Sequence, residues 1–191
     1  VLGDTPPDLG DVVERHFKPL VMRLANLRVP TVAAVNGVAA GAGASLALAC
    51  DMVIASQAAS FMLPFAKIGL IPDTACSWLV PQRLGQARAL DLAMTGNKLP
   101  AAKAAEWGLI WEAVAEEAFA ESVQKLAEQL ATMPTKALVR TRQAMQAGRT
   151  NTLEQQLTLE GLYMRELGRS SDYVEGVSAF LEKRSPRFTG A

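Results

Sequence analysis

The sequence has little of what metal and disulfide chemistry requires. It contains one histidine and two cysteines, Cys50 and Cys76, which do not have CxxC spacing. A single histidine, His16, cannot supply the usual ligands of a zinc site or the roles of a Ser-His-Asp triad. We therefore predict no metal site and assign His16 no role. The cysteines lie among apolar or small residues, which is typical of reduced thiols in a cytoplasmic protein.

The chain also lacks an excess of charge of either sign. Its 19 basic residues balance 19 acidic residues, which argues against binding to nucleic acid or a membrane surface by bulk electrostatics. Residues 29–50 carry no charge and form a run about as long as a membrane span. Proline, asparagine and glycine interrupt this run, so a buried strand, turn and helix fit it better. No signal-peptide pattern is visible.

Hydrophobic periodicity predicts an α/β front half followed by a helical tail. Apolar spacing favours an amphipathic helix over residues 9–27, with Pro19 as the only objection. Short buried strands are predicted at 31–35, 52–55 and 60–63, with a buried helix at 43–50. One further strand is predicted at 110–114, and the remaining helices at 74–84, 86–94, 101–107, 116–132, 135–147, 152–167 and 173–183.

Residues 36–45 (NGVAAGAGAS) are the most unusual segment. Glycines 37, 41 and 43 do not match GxGxxG, and no GK[ST] follows, so dinucleotide-binding and P-loop sites are excluded by spacing. A strand here leads through a turn into a helix whose start carries almost no side-chain bulk. Its free N–H groups and dipole would favour an oxyanion, and close helix–strand packing explains the same composition equally well.

Asp73 ends the apolar stretch AKIGLIPDT at residues 66–74. An ionised carboxylate is costly to bury unless a partner stabilises it. Two interpretations follow. Asp73 either caps a helix that starts near Thr74 or takes part in chemistry.

Three motifs in the same order identify a family resemblance over essentially the whole chain. They are VPTVAAVNGVAAGAGASLALACDMVIAS, SFMLPFAKIGLIPD and YVEGVSAFLEKRSPRFTG, and they resemble the enoyl-CoA hydratase/isomerase (crotonase) superfamily. Within it, GVAAGAGA, EWGLIWE and GRSSDYVEGVSAF are most similar to the phenylacetate-degradation isomerases that act on ring-epoxidised phenylacetyl-CoA.

This resemblance implies an α/β, crotonase-like spiral of ββα turns (residues 1–128) and a helical C-terminal trimerisation region (residues 129–191). A homotrimer or a dimer of trimers is expected, and exposed apolar residues such as Leu153, Leu157 and Leu162 agree with self-association. Coenzyme A is then part of the substrate, an acyl-CoA thioester, so no separate cofactor is expected.

The resemblance also implies the site. The thioester carbonyl accepts from two backbone N–H groups, one of which maps to Ala42. The other comes from a loop upstream of residue 1, so the first turns of the spiral are expected to be missing from this sequence. Lys183 maps near the CoA phosphates, with a solvated lysine as the alternative. The substrate-pocket residues are Ala40, Gly41, Phe65, Ile71 and Pro72, supported by the apolar Phe61, Met62 and Leu63.

Two departures from the family shape the expected chemistry. Hydratases carry two glutamates that activate water, and the corresponding residues here are Ser45 and Phe65. Water addition is therefore disfavoured, and Asp73 is left as a single carboxylate for a proton shuttle. Ser45 is read as a helix-face residue and not as a nucleophile. Relatives often show paired glycines where this chain has Ala75 and Cys76, and Cys76 is not expected to be a nucleophile.

These features predict an acyl-CoA isomerase that opens the ring epoxide to a seven-membered oxepin. The alternative enzyme is a general enoyl-CoA hydratase or double-bond isomerase. The alternative from another class is a non-catalytic assembly partner with the same fold. Trp78, Leu79, Trp107 and Trp111 are predicted to be core or pocket residues.

Overall fold

The computed structural model describes residues 7–191, which divide into two compact units. The first unit comprises residues 7–26 and 31–123, and the second comprises residues 27–30 and 124–191. The predicted domain boundary after residue 128 stays a prediction. Among the described residues, no helix is both long enough and apolar enough to cross a membrane.

Two small sheets organise the first unit. One has the strand order β1-β3-β6 and is parallel throughout. The other has the order β2-β4-β5, with β2 parallel to β4 and β5 antiparallel to it. Their strands are β1 (Val32–Val35), β2 (Val38–Ala40), β3 (Met52–Ser56), β4 (Ser60–Met62), β5 (Leu99–Pro100) and β6 (Glu112–Val114).

β1 and β2 lie in different sheets, and so do β3 and β4, so the chain passes from one sheet to the other within each of these two pairs, whereas β4 and β5 pair within one sheet. β1 and β2 are separated only by Asn36 and Gly37, and β3 and β4 by residues 57–59. Val32 is aligned with Met52 and Val38 with Ser60, so the second turn follows the first in register. This arrangement confirms the predicted spiral of ββα turns.

Helices complete the first unit. They are α1 (Leu9–Val12), α2 (Lys18–Ala25), α3 (Ala42–Ala49), α4 (Cys76–Leu84), α5 (Gln86–Thr95) and α6 (Ala101–Glu106). Residues Val13–Phe17 are π-helical and join α1 to α2 just before Pro19, which has no N–H to donate. The helix predicted over residues 9–27 is thus confirmed, and it ends at Ala25.

The core of this unit forms around α3, which is apolar on all sides and therefore packs inside. Leu48 of α3 and the strand residues Val53 and Phe61 are almost completely buried. The guanidinium of Arg83 donates to the carbonyl oxygens of Leu48 (2.6 Å) and Leu109 (3.0 Å). Arg83 thereby ties α4 to the C-terminal end of α3 and to the segment before β6.

The structure corrects several predictions. Trp78 is 49% exposed and Trp111 is 63% exposed, so the core alternative was wrong for both and their place in a pocket stays a prediction, whereas Leu79 is buried. Trp107 is half-buried under the guanidinium of Arg88, 4.8 Å from the ring centroid. Strands β2 and β5 were not predicted, because β2 is composed of valine and alanine that resemble a linker and β5 has only two residues.

The second unit is helical. A 3-10 turn at Glu116–Ala118 precedes helix α7 (Phe119–Ala131), whose residues from 124 onward belong to this unit. The other helices are α8 (Thr135–Ala147), α9 (Leu153–Leu167) and α10 (Ser171–Glu182). Thr152 and Gln155 form a reciprocal capping box at the start of α9. Glu166 of α9 forms ion pairs with Arg140 (2.8 Å) and Lys136 (3.4 Å) of α8.

Residues 184–191 fold back along α10 and are held there by Asp172. This carboxylate is only 5% exposed. It accepts hydrogen bonds from the N–H groups of Thr189 (2.7 Å) and Gly190 (2.9 Å). Such bonds compensate the cost of burying the charge.

Glu175, one helical turn later, holds the same segment. Its two oxygens accept from Arg184 at 2.6 and 2.9 Å, and one also accepts from the N–H of Arg187 at 2.7 Å. The bonds from Arg184 and then from Arg187 lower the pKa of Glu175 to about 2. We call Asp172 and Glu175 the carboxylate clamp.

Candidate active site

The start of α3 provides unobstructed main-chain amides, as the sequence predicted. Gly41 precedes the helix with φ +54° and ψ −127°, a conformation that suits only glycine. Its N–H donates to the carbonyl oxygen of Met62 (3.0 Å), which fixes the helix start against β4. Ala42 and Gly43 are the first two helical residues, so their N–H groups have no acceptor within the helix.

Phe65 packs beside this helix start. It lies in the 3-10 segment Pro64–Ile68 and is buried. A Cβ placed on Gly41 would be 3.6 Å from the tip of the Phe65 ring. Phe65 therefore contributes an apolar wall at the position where hydratases of the resembled family carry a glutamate.

Asp73 lies in the loop between that 3-10 segment and α4 and is half-buried. Its Oδ1 accepts a hydrogen bond from the hydroxyl of Thr74 at 2.9 Å. Its main-chain oxygen lies 2.9 Å from the N–H of Cys76 and 3.3 Å from the hydroxyl of Ser45. Since Ser45 belongs to α3, the acid is held close to the helix whose first amide is Ala42.

Asp73 does not cap α4. The helix begins at Cys76, its N-cap residue is Ala75, and no side chain accepts from its first amides. The capping interpretation was therefore wrong. Among residues 7–191, the hydrogen bond from Thr74 to Oδ1 is the only one that the Asp73 carboxylate accepts, and Oδ2 has no partner.

Ser45 is completely buried. Its hydroxyl lies 3.2 Å from the carbonyl oxygen of Gly41 and 3.3 Å from that of Asp73. It points into the protein between two main-chain oxygens, with no histidine or other base bound to it in the part of the chain described. This arrangement fits a structural hydroxyl better than a nucleophile.

Cys76, three residues after Asp73, is buried. Burial raises the pKa of its thiol, the hydrogen bond with Ser45 lowers it, and the charge of Asp73 raises it further, with a net rise. A thiol with a raised pKa is a poor nucleophile. Cys76 is therefore a neutral, apolar part of the site.

An apolar cavity of about 340 Å³ opens next to this loop. Ile71, Pro72, Leu63 and Cys76 line it together with residues of α4 and α5. Asp73 stands in sequence between two of these lining residues, Pro72 and Cys76. The other predicted pocket residues lie outside the lining of this cavity: Ala40 ends β2, Gly41 precedes α3, Phe61 and Met62 lie in β4, and Phe65 lies in the 3-10 segment Pro64–Ile68. Asp73 itself is not a lining residue either.

The remaining predicted site residue, Lys183, lies in the second unit. It ends α10 with φ +54° and is exposed, so its contact with CoA stays a prediction. Within the described residues, no three histidine, cysteine, aspartate or glutamate side chains are placed to hold a metal ion.

Sequence reasoning overlooked Thr74. Its side chain is 4% exposed and bonds to the acid, and its φ of +53° is followed by +66° at Ala75. The replacement of paired glycines by Ala75 and Cys76 was a signal for unusual backbone here, because glycine is the residue that favours positive φ.

Comparison with known proteins gives consistent matches. The profile of the enoyl-CoA hydratase/isomerase family matches residues 5–191. The 1,2-epoxyphenylacetyl-CoA isomerase of Escherichia coli (strain K12) is 56% identical over 184 residues, which cover 96% of this chain and 70% of that protein. A protein of Rhodobacter capsulatus named "Probable enoyl-CoA hydratase" is 46% identical over 192 residues, covering 99% and 75%.

Solved structures of similar fold belong to proteins described with the same family name. The crystal structure of an enoyl-CoA hydratase from Bacillus anthracis superposes with a TM-score of 0.92 at 30% identity, covering 99% of this chain and 73% of that one. The similarity therefore extends from sequence to the arrangement of strands and helices.

Proposed function

The chain belongs to the enoyl-CoA hydratase/isomerase family, as its three motifs predicted, and we propose that it is an acyl-CoA isomerase of phenylacetate catabolism. Its substrate is ring-1,2-epoxyphenylacetyl-CoA and its product is the isomeric oxepin-CoA. The observation that carries the proposal is the state of Asp73, a half-buried acid that caps no helix and is bonded through its main chain to α3.

The proposed chemistry uses one acid and one helix start. The N–H of Ala42 donates to the thioester carbonyl oxygen and stabilises the negative charge of the enolate. Asp73 removes a proton from the carbon next to the thioester, and the electron pair of that C–H bond moves towards the carbonyl oxygen. The C–C bond shared by the epoxide and the six-membered ring breaks, which gives the seven-membered oxepin. The enolate electron pair then moves back through the conjugated double bonds as Asp73 returns the proton to a ring carbon, so substrate and product have the same atoms.

The pocket proposed for the acyl group is apolar. Phe65, beside Gly41, and Ala40 are proposed to form one wall, and Ile71 and Pro72, which line the 340 Å³ cavity and directly precede Asp73 in sequence, are proposed to form another. An aromatic ring is compatible with such a lining. Lys183 is proposed to contact the CoA phosphates, and no cofactor beyond the CoA of the substrate is proposed.

Hydration is the second candidate, supported by the 46% identity to the Rhodobacter capsulatus protein. It is disfavoured because Ser45 and Phe65 cannot act as the paired carboxylates that deliver water. Product analysis separates the two. Mass spectrometry that finds mainly a 3-hydroxyacyl-CoA, heavier than the substrate by one water, would contradict the isomerase proposal.

The decisive variant is Asp73→Asn. We expect kcat to fall by about 10²- to 10⁴-fold while the variant stays folded and still binds a substrate analogue. The matched control is Asp91→Asn, an exposed aspartate of α5, which should keep wild-type activity. If Asp73→Asn is as active as Asp91→Asn, the catalytic proposal fails and the assembly-partner alternative gains support.

We also propose self-association through the second unit, as a homotrimer or a dimer of trimers. Phe180 is 82% exposed beside an apolar groove of about 650 Å³ that includes Val177 and Leu181. Exposed apolar surface of this kind marks interfaces. Sedimentation velocity that finds only a monomer at assay concentration would overturn this.

A further inference from the structure

The backbone directly after Asp73 adopts an unfavourable conformation. Thr74 and Ala75 have φ of +53° and +66°, and Lys183 is the only other non-glycine residue with positive φ within the described chain. Such residues cost free energy and are retained where the surrounding structure requires them, often at active sites. Two in succession next to the proposed acid therefore call for a functional explanation.

The conformation of Thr74 directs its hydroxyl towards the acid. Thr74 is buried, and its Oγ1 lies 2.9 Å from Oδ1 of Asp73. An ionised carboxylate can only accept hydrogen bonds, so the threonine hydroxyl is the donor. Oδ1 is thus occupied, whereas Oδ2 has no hydrogen-bond partner in residues 7–191.

Ser45 holds the main chain of the same residue. Its hydroxyl lies within 3.3 Å of the carbonyl oxygens of both Gly41 and Asp73. Gly41 directly precedes Ala42, the proposed oxyanion donor. Ser45 therefore links the carbonyl group that precedes the proposed oxyanion donor to the main chain of the proposed acid.

From this geometry we propose that Thr74 and Ser45 are positioning residues for the Asp73 carboxylate. The Thr74 hydroxyl donates to Oδ1 and makes it the less basic oxygen, so Oδ2 is the oxygen that takes up and returns the proton, and Ser45 holds the main chain of Asp73 at α3. This inference rests on the function proposed above.

A fixed carboxylate favours the proposed proton transfer, because one carboxylate oxygen must take the proton from one carbon and return it to another. Rotation of a loose carboxyl group would move the protonated oxygen away between the two steps. When Oδ2 carries the proton, Oδ1 remains an acceptor, so the Thr74 bond persists through both steps. Misplacement of a reacting group by about 1 Å costs about 10²-fold in rate.

The test compares Thr74→Val, which removes the hydroxyl at nearly constant shape, with Thr74→Ser, which keeps it. We expect Thr74→Val to lower kcat by about 10- to 100-fold with KM changed less than about twofold. Thr74→Ser should restore kcat to within about threefold of wild type. Thr141→Val, which removes an exposed hydroxyl on α8, is the control and should leave kcat unchanged.

The second readout is whether the effects of the two substitutions on kcat are independent of each other. Ser45→Ala should also lower kcat, and because Ser45 positions the main chain and Thr74 the carboxylate of the same residue, Asp73, the Ser45→Ala/Thr74→Val double variant should lose less than the product of the single effects. Each variant's thermal midpoint is measured in parallel. If Thr74→Val does not fold, Thr74→Ala takes its place with the same expectation.

The outcomes separate this inference from the proposed function. Wild-type kcat in Thr74→Val together with an inactive Asp73→Asn would overturn the positioning role and leave the function intact. Equal losses in Thr74→Val and Thr74→Ser would also overturn it, because the hydroxyl would then be irrelevant. An active Asp73→Asn would overturn the function itself.

Discussion

The hydroxyl of Ser45 lies 3.3 Å from the main-chain oxygen of Asp73, 28 positions further along the chain. This contact joins the glycine-rich helix start to the loop of the proposed acid. It also shows why a small hydroxyl residue suits this point of α3, since the space around Ser45 is completely filled.

Removal of that hydroxyl should weaken the fold. Ser45→Ala removes the one hydroxyl proton that the carbonyl oxygens of Gly41 and Asp73 share and is expected to lower the free energy of unfolding by about 1–2 kcal/mol. Urea denaturation measures the change. Ser77→Ala, an exposed serine of α4, should change it by less than about 0.5 kcal/mol, and equal effects would contradict the role of the buried hydroxyl.

A glycine at position 75 should remove the conformational strain of the backbone that follows Asp73. Ala75 has φ +66°, so Ala75→Gly is expected to raise the free energy of unfolding by about 0.5–1 kcal/mol. The same substitution at Ala127, exposed within α7, should lower it by about 0.5–1 kcal/mol. Two shifts of the same sign would contradict the conformation assigned to Ala75.

Acid should loosen the carboxylate clamp through Glu175. Its pKa falls from 4.5 to about 2 on folding, mainly because of Arg184. A lowered folded-state pKa means that the stabilisation is complete above pH 4.5 and is lost as the pH falls towards 2. Glu175→Gln should therefore be less stable than wild type near neutral pH, and the difference should shrink in acid.

Urea denaturation at several pH values measures this difference. Glu160→Gln, an exposed glutamate of α9, is the control and should show no such change. A Glu175→Gln deficit that stays constant down to pH 2 would contradict the assignment.

Asp172 should protect the amides that it binds. Asp172→Asn replaces an acceptor oxygen by an NH₂ group that faces main-chain N–H donors, so local opening should become easier by about 1–3 kcal/mol. Hydrogen exchange at Thr189 and Gly190 should accelerate by at least about tenfold, while Asp91→Asn leaves it unchanged. Unaltered exchange in Asp172→Asn would mean that other contacts hold the segment.

The helical spacing of apolar residues, together with the glycines and prolines between the segments, predicted the helical tail well. Helix α8 has the predicted bounds. Strand β2 was missed because Val38, Ala39 and Ala40 carry no alternation and gain their strand structure only by pairing with β4. Trp78 and Trp111 were misplaced because hydrophobicity predicts burial, whereas a single chain leaves some large apolar residues at its surface.

The parts of the candidate site that depend on a few neighbouring residues in sequence could be predicted. The bare helix start at Ala42 and the isolated acid Asp73 could both be recognised in the sequence. Their contact through Ser45 could not, because it depends on how β4 and the following loop return to α3. Threonine gives no sign of the positive φ at Thr74, and the only signal for unusual backbone was the replacement of paired glycines at the next two positions, Ala75 and Cys76.

The order of pairing gives residues 52–62 a special position. This single segment supplies β3, which lies between β1 and β6, and β4, which lies between β2 and β5. Both sheets therefore take their central strand from one continuous stretch of chain. An insertion within β3 or β4 would therefore disturb pairing with two neighbouring strands at once, whereas one in the two-residue β5 at a sheet edge would disturb pairing with one.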